Sequence, residues 1–184
     1  MTAPTRRRPR DPAGRRQTII DAATRVIAEA GVAGLTHRRV AEIAGVPVGS
    51  TTYYFKDLDE LREAALADAA RGSIEGLDEW AEELRESADL PGTLARLTAD
   101  YLTEHDRYRA CNELYTAASH RPELRPHARL WLDGLIAILE PRTGHDAAQA
   151  AAIFIDGALL HALITGEPLG ADVLTHALRR LLAG

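Results

Sequence analysis

The chain has 184 residues, of which 46% are hydrophobic, enough for a buried core in one or two small domains. No apolar run reaches the ~18 residues that a membrane span requires, and no apolar segment follows the basic N-terminus as in a secretory signal. The single cysteine, Cys111, cannot form an internal disulfide, which is typical of a reducing compartment. We therefore expect a cytoplasmic protein with no membrane partner.

The net charge of −5 is unevenly distributed along the chain. Residues 1–56 contain ten Lys and Arg against four Asp and Glu, whereas residues 57–184 contain twelve against twenty-three. A basic N-terminal third on an acidic body indicates that a polyanion docks at that end only. Residues 1–14 supply half of the basic excess and are predicted to be disordered. They form either an arm along DNA phosphates or a solubilising leader.

Residues 15–30 are predicted to form the first helix, because their apolar side chains recur at three- and four-residue steps. The following segment has the pattern of two short helices joined by a tight turn. Thr36 suits the N-cap of the first, Gly45 suits its left-handed end, and Pro47 suits the start of the second. This spacing predicts a helix-turn-helix, which either binds DNA or is only a structural corner.

The second of these helices, about residues 47–53, carries slim or hydroxyl-bearing side chains that let a helix enter a major groove. Arg38 has the reach and the planar guanidinium to bind O6 and N7 of a guanine. We expect Arg38, Ser50 and Thr51 to contact bases, and the polar groups around them to contact the DNA backbone. The predicted DNA-binding residues are Thr36, His37, Arg38, Val48, Gly49, Ser50, Thr51, Thr52, Tyr53, Tyr54 and Lys56.

The run LTHRRVAEIAGVPVGSTTYYFKDLDEL, preceded by IIDAATRVIAEAG, resembles the DNA-binding domain of the TetR/AcrR transcriptional regulators. Two positions differ from the family pattern: Thr52 replaces a usual tyrosine and Leu58 a usual lysine. The resemblance implies a ligand-responsive repressor that binds a palindromic operator as a homodimer. It also implies that residues 15–60 are the DNA-binding domain and residues 61–184 the effector-binding and dimerisation domain.

The capping box Asp57-x-x-Glu60 predicts a fourth helix that starts at Asp57 and runs to about Ser87. Gly72 and Gly76 either bend this helix or divide it in two. Further helices are predicted at about 92–106, 108–119, 123–140, 146–165 and 171–182, with Pro and Gly at their borders. The fold class is therefore all-α with about nine helices: an N-terminal three-helix helix-turn-helix domain and a C-terminal helical bundle.

Segment 146–165 is apolar nearly all round, which predicts a helix that is buried on most sides. Its cover is either a second subunit or the core of a monomer. The family resemblance implies the first, because the last two helices of such regulators pair with their copies as a four-helix bundle. The predicted interface residues are Ala150, Phe154, Gly157, Ala158, His161, Leu174, Leu178 and Leu181.

The resemblance also implies a small-molecule effector in the helical body. The candidate lining residues, for which ordinary core packing is the alternative role, are Tyr101, His105, Cys111, Tyr115, Trp131, Phe154 and His161. The sequence has no metal-binding histidine motif, Cys/His zinc spacing or Gly-rich phosphate loop, so we predict no catalytic residue, metal or cofactor. The alternatives are an all-helical enzyme or binding protein in which the corner is structural, an activator, or a ligand-independent repressor.

Overall fold

The computed structural model describes residues 11–103 and 105–183. Over these residues the chain is all-helical and contains no β-strand, as the sequence predicts. Short 3₁₀ turns at Val32–Gly34 and Pro122–Leu124 supplement the α-helices. The nine α-helices of this part of the chain are α1 (Pro12–Ala30), α2 (His37–Ala44), α3 (Val48–Tyr54), α4 (Leu58–Glu86), α5 (Leu90–Tyr101), α6 (His105–His120), α7 (Arg125–Thr143), α8 (His145–Thr165) and α9 (Ala171–Leu182).

Helix α1 begins three residues before its predicted start. The Asp11 carboxylate accepts a hydrogen bond from the Gly14 backbone N–H at 3.0 Å, and Pro12 occupies the first helical position. Both residues are favourable there, because the cap satisfies a free N–H and proline lacks one. Residues 12–14 are therefore the first turn of α1 and not part of a disordered arm. The rest of the predicted arm, residues 1–10, lies outside the described residues.

The helix-turn-helix forms from the local signals that predict it. The Thr36 hydroxyl accepts a hydrogen bond from the Arg39 backbone N–H at 3.2 Å and so caps α2. Gly45 ends α2 in the left-handed conformation with φ of 64°, which a residue with a Cβ rarely adopts. Pro47 is the cap residue of α3 rather than its first helical residue. The corner is thus predicted to within one residue at each end.

Helix α4 is continuous over 29 residues. The Asp57 carboxylate accepts from the Glu60 N–H at 2.9 Å, and the Glu60 carboxylate accepts from the Lys56 N–H at 2.7 Å, which closes the first turn. The helix passes through Gly72 and Gly76 without a break, so the alternative of two separate helices is wrong. At about 1.5 Å per residue, α4 spans roughly 43 Å and connects the two parts of the molecule.

The buried apolar residues form two clusters, and α4 contributes to both. The first, here called the DNA-end core, contains Phe55, residues of α1 and α2, the first half of α4 as far as Ala70, and Leu114 and Ala118 of α6. The second, here called the body core, joins Trp80 and its neighbours on α4 to α5, α7, α8 and α9. The domain boundary between residues 60 and 61 remains a prediction, although the DNA-end core extends beyond it along α4.

The borders of the body helices depart from prediction at several points. Helix α5 ends at Tyr101 and not at residue 106, and α6 begins at His105 and not at residue 108. Pro91 lies in the first turn of α5 instead of outside it, where the missing N–H removes no helical hydrogen bond. Pro126 likewise lies in the first turn of α7, which begins two residues after its predicted start. Pro141 lies inside α7, so the predicted end at residue 140 is three residues too early. The helix stops only at Gly144, whose φ is 82°.

By length and composition alone, helix α8 is apolar enough to cross a membrane. Its most apolar 18 residues have a mean hydropathy of 1.6. One side of it is nevertheless buried in the body core through an alanine-rich face that includes Ala148, Ala151, Ala152 and Ile155. The burial agrees with the prediction of a bundle helix. The subunit itself, however, buries only one side of α8 and leaves another side exposed.

Candidate functional site

Helix α3 and the first turn of α2 present polar and aromatic side chains on one surface. Val48 is 46% exposed and Tyr53 is 82% exposed. His37, Ser50 and Tyr54 are half-buried at its edges. The other predicted DNA-binding residues that are exposed are Thr36, Arg38, Gly49, Thr52 and Lys56.

Thr51 is the exception among the predicted base contacts. It is fully buried, its hydroxyl donates to the Val48 carbonyl oxygen at 2.8 Å, and its Oγ1 lies 3.1 Å from Nδ1 of His37. The prediction that Thr51 contacts bases is therefore wrong, because the turn of the helix directs it towards the protein. Its role is to hold α3 against the start of α2. Ser50 is the remaining hydroxyl of the predicted base-contacting pair.

Two neighbouring arginines at the start of α2 have different environments. Arg39 pairs with Glu29 of α1 at 3.3 Å between Nη2 and Oε2. Arg38 is exposed and forms no ion pair with any residue that the structure describes. Its guanidinium is thus available for a ligand, which is what contact with a guanine requires.

The sequence analysis missed the contribution of α1 to this surface. Arg15 lies in the hollow between α1 and α3, and Arg16 lies over the Phe55 ring, 4.9 Å from the ring centroid. Both arginines lie within the predicted helix, but the extension of α1 to Pro12 brings Asp11 and Pro12 into the same hollow. The signal was present in Asp11-Pro12, a capping residue followed by a first-turn proline. The hollow is lined by Asp11, Pro12, Arg15, Pro47, Gly49, Ser50, Tyr53 and Tyr54.

The body contains a mainly apolar cavity of about 380 Å³ between α5, α6, α7 and α8. This volume falls within the roughly 300–1,000 Å³ that is usual for small-molecule sites. The lining residues are Tyr101, Cys111, Asn112, Tyr115, Trp131, Ile153, Asp156, Gly157, Leu159, Leu160 and Leu163.

Some of the predicted effector residues line this cavity and others do not. Tyr101, Cys111, Tyr115 and Trp131 line it. Phe154 and His161 do not, because the helical period places them on the side of α8 away from Asp156. Phe154 instead packs against the body core, and His161 is exposed. The side chain of His105 lies outside the described part of the chain.

Asp156 is the one charged residue among the described cavity residues that were not predicted from the sequence. Its atom Oδ1 is buried and has no hydrogen-bond partner among the described residues. Burial raises the pKa of the Asp156 carboxyl from 3.8 to about 6, and a hydrogen bond with Tyr115 partly opposes that rise. Burial and the charge of Asp156 also raise the pKa of Tyr115, so its phenol remains protonated. A lone acid in the middle of an apolar helix was the available signal.

The predicted dimer interface is partly inside the subunit. Ala158, Leu174 and Leu178 are at most 3% exposed and belong to the body core, because α9 packs against α5 and α8 packs against α7 and α9. The prediction that these three residues contact a partner is therefore wrong. Gly157 and His161 are exposed. The half-buried members of the predicted set are Ala150, Phe154 and Leu181.

Large apolar side chains are exposed along one side of α8. Ile153, Leu160 and Ile164 are 56%, 49% and 74% exposed, and Gly157 lies between them. Their spacing of four, three and four residues places all four on one helix face, here called the α8 stripe. Val173 at the start of α9 is another exposed apolar residue, at 54%. Ile153, Gly157 and Leu160 also line the body cavity, so the strip borders that cavity. A contiguous apolar strip of this kind marks an interaction surface.

The site is therefore double: a helix-turn-helix with available arginines at one end, and a cavity in a helical body at the other. Within the described residues, no group of three or more His, Cys, Asp or Glu side chains could hold a metal ion. This arrangement defines the class of helix-turn-helix regulators that carry a separate helical ligand-binding body.

Comparison with known proteins gives the family. Residues 19–65 match the family model described as bacterial regulatory proteins, tetR family, and residues 85–184 match the model described as tetracyclin repressor-like, C-terminal domain. The HTH-type transcriptional regulator BetI of Burkholderia mallei is 31% identical over 84% of this chain and 85% of BetI.

Solved structures agree. A TetR-family member from Streptomyces coelicolor A3 is 42% identical, with a TM-score of 0.80 over 91% of this chain and 98% of that one. The multidrug binding protein EbrR in complex with ethidium is also 42% identical, with a TM-score of 0.79 over 94% of this chain and 99% of EbrR. EbrR has also been solved with proflavin and with malachite green. The chain belongs to the TetR family of ligand-responsive, DNA-binding transcriptional regulators.

Proposed function

We propose that this regulator is a cytoplasmic, non-enzymatic homodimeric repressor that binds a palindromic operator and releases it when a small molecule fills the body cavity. The observation that carries the proposal is the position of α6, which belongs to both ends of the molecule. Cys111 and Tyr115 of α6 line the cavity. Leu114 and Ala118 of the same helix are buried in the DNA-end core. A ligand that displaces Tyr115 therefore displaces part of that core.

Polar contacts from the middle of α6 and from just beyond its C-terminal end support this coupling. The Glu113 carboxylate accepts a hydrogen bond from the Val32 backbone N–H, in the connection between α1 and α2, at 3.1 Å. Arg121, just after α6, donates to Glu63 of α4 at 3.1 Å and lies 3.5 Å from Asp59. Movement of α6 is thereby passed to α2 and to the first turns of α4. A rigid-body rotation of the DNA end follows, which is a common form of allosteric change.

For the DNA complex, we assign base contacts to Arg38 and Ser50 at the mouth of the major groove. Arg15 adds a phosphate contact from α1, because it lines the same hollow as α3. Phosphate contacts fix the register of the protein on the duplex, whereas base-edge contacts give sequence preference. The residues assigned to the DNA backbone are Thr36, His37, Val48, Gly49, Thr52, Tyr53, Tyr54 and Lys56.

For the dimer, we assign the interface to the α8 stripe together with Val173. Pairing two copies would cover the exposed apolar side chains and set two DNA-binding heads at a fixed spacing, as a palindrome requires. Ile164→Arg places a charge in the stripe and should give monomers in sedimentation velocity. Leu130→Arg is the matched control, since Leu130 is 38% exposed on α7, outside the stripe. Ile164→Arg protein that remains dimeric would refute the assignment.

A small-molecule effector is supported by the cavity and by the relatives. EbrR, which shares the fold over nearly the whole chain, has been solved with ethidium, proflavin and malachite green, all aromatic molecules. The aromatic lining of the cavity here, with Tyr101, Tyr115 and Trp131, is suited to ligands of the same general kind.

The proposal is tested by gel-shift titration of the DNA that flanks the gene, at several salt concentrations. We expect retention that weakens steeply with salt, because bound phosphates displace counterions. Arg38→Ala should cost about 1–3 kcal/mol on the operator and less on scrambled DNA, whereas Lys56→Ala should weaken both alike. Arg85→Ala, at the far end of α4, is the control and should change neither.

Absence of any shift in dilute salt would refute the DNA-binding function of the exposed α3 surface. Equal losses on operator and scrambled DNA for Arg38→Ala would refute the assignment of Arg38 to a base.

A further inference from the structure

Among the residues that the structure describes, Asp156 is the only acid that lines the body cavity, and no cation among them neutralises it. Its Oδ1 atom is buried without a hydrogen-bond partner among the described residues. The neighbours that affect its pKa are the surrounding apolar groups, which raise it, and Tyr115, which lowers it. A buried carboxylate without an opposite charge is unfavourable, and proteins seldom retain one unless a ligand or partner satisfies it.

The charged groups packed around Asp156 do not supply the opposite charge that its carboxylate lacks. From α7, Arg125 and Arg129 line a hollow that also reaches Asp156 and Tyr115. Arg129 donates instead to both carboxylate oxygens of Asp133, at 3.2 and 3.3 Å. Neither arginine contributes to the pKa of Asp156.

None of the other described ionisable groups that line the cavity is a cation. Tyr115 and Cys111 come from α6, and Tyr101 comes from α5. A cation is therefore the charge that this part of the cavity lacks.

Aromatic rings complete the environment. Tyr101, Tyr115 and Trp131 line the same space as Asp156. Trp80 packs edge-on against Tyr101 and Trp131, at centroid distances of 6.1 and 6.3 Å, and so fixes their ring planes. The π-faces of Trp and Tyr attract cations, most strongly where water is excluded. A carboxylate beside such rings recognises charge and aromatic surface together.

We propose that the cavity selects lipophilic organic cations over neutral molecules of the same shape, with the Asp156 carboxylate as counter-charge and Tyr101, Tyr115 and Trp131 as the aromatic wall. This inference deepens the proposed function and rests on it in one respect, that the body cavity is the effector site. The ligand is a monocation that fits about 380 Å³ and has at least one flat aromatic face.

Two probes of nearly equal shape isolate the charge. N-methylphenanthridinium carries a permanent positive charge, whereas phenanthridine is neutral at pH 8. Isothermal titration of the full-length protein at pH 8 should show tighter binding of the cation by roughly 10- to 100-fold, the range of one charge-assisted buried contact.

Asp156→Asn preserves the shape of the side chain and removes its charge, so it should reduce that ratio to about one. Asp78→Asn removes the same charge from an exposed site on α4 and should leave the ratio unchanged.

The outcomes separate this proposal from the general function. Equal binding of the two probes by the wild-type protein, or failure of both to bind, would overturn the cation proposal without any reference to a variant. Equal loss of both probes in Asp156→Asn would also overturn it, because Asp156 would then shape the cavity rather than supply charge. Gel shifts on the same preparations report the proposed function independently: retained operator binding with no charge preference refutes only the cation site.

Discussion

The two ends of the molecule keep their charged groups in opposite environments. At the DNA end, Arg38 and Lys56 are exposed to water around a small core centred on Phe55. In the body, Asp156 is held in an apolar cavity with a buried, unpartnered oxygen. The first arrangement suits a polyanion that keeps much of its hydration, and the second suits a single small cation that has lost its own.

Because of this difference, operator binding and ligand binding should respond to different solution conditions, the first to salt and the second to pH. Contacts between exposed arginines and phosphates are screened, so operator affinity should depend strongly on salt and weakly on pH. The charge of a buried carboxylate is poorly screened but is lost by protonation. Affinity for a permanent cation should therefore fall as pH drops below about 6, the pKa of Asp156.

At the DNA end, a buried residue and an exposed residue two positions apart should differ most in their contribution to stability. Phe55 is fully buried, whereas Tyr53, two residues earlier, is 82% exposed. Phe55→Ala should lower the free energy of unfolding by about 3–5 kcal/mol, because it leaves a cavity in the DNA-end core. Tyr53→Ala should change it by less than about 0.5 kcal/mol while weakening DNA binding. Urea titration measures the first quantity, and comparable destabilisation by the two variants would contradict the assigned surface.

In the body, by contrast, the substitution Asp156→Asn should stabilise the protein. Raising the pKa of Asp156 from 3.8 to about 6 corresponds to a cost of up to about 3 kcal/mol when the group is ionised in the folded state. The folded state binds the proton more tightly, so stability falls as pH rises from about 4 to about 6. Asp156→Asn should therefore be more stable than wild type at pH 8 and equally stable near pH 3.5.

Thermal or urea unfolding at both pH values checks this expectation, with Asp78→Asn as the exposed control. An Asp156→Asn protein less stable than wild type at pH 8 would show that the hydrogen bond with Tyr115 outweighs the cost of burying the charge.

The smallest effect concerns the connection between the ends. Glu113→Ala removes the acceptor of the Val32 N–H, a contact of α6 with the α1–α2 connection. The coupling between ligand and operator should fall by about 0.5–2 kcal/mol, with little change in either affinity alone. Thr116→Ala, exposed on the same helix, is the control. Unchanged coupling in Glu113→Ala would exclude this contact as a route.

The sequence predicted the DNA end better than the body, for a physical reason. Thr36, Gly45 and Asp57 act on backbone groups a few residues away, so their patterns specify local structure directly. Burial of Thr51 depends on where α3 docks against α2, which no short pattern contains. Only α1 was misplaced at the DNA end, because a cap at Asp11 lay within a segment of disordered composition.

In the body, the side chains that matter meet through tertiary packing. Ala158, Leu174 and Leu178 form apolar stripes that suit a partner subunit and a subunit core equally well, and the packing of α9 on α5 decides between them. The cavity likewise brings together residues from four helices. The sequence predicted four of its members, the aromatic residues Tyr101, Tyr115 and Trp131 and also Cys111. Asp156 was missed because an acid in an apolar helix shows its role only when its neighbours are known.

The most direct measurement is the dissociation constant of labelled operator DNA by fluorescence anisotropy, with and without saturating N-methylphenanthridinium at pH 8. We expect the ligand to weaken operator binding by about 5- to 150-fold, and the operator to weaken ligand binding by the same factor, because such linkage is reciprocal. An operator dissociation constant that does not change when the cavity is saturated would contradict the coupling of the two ends through α6.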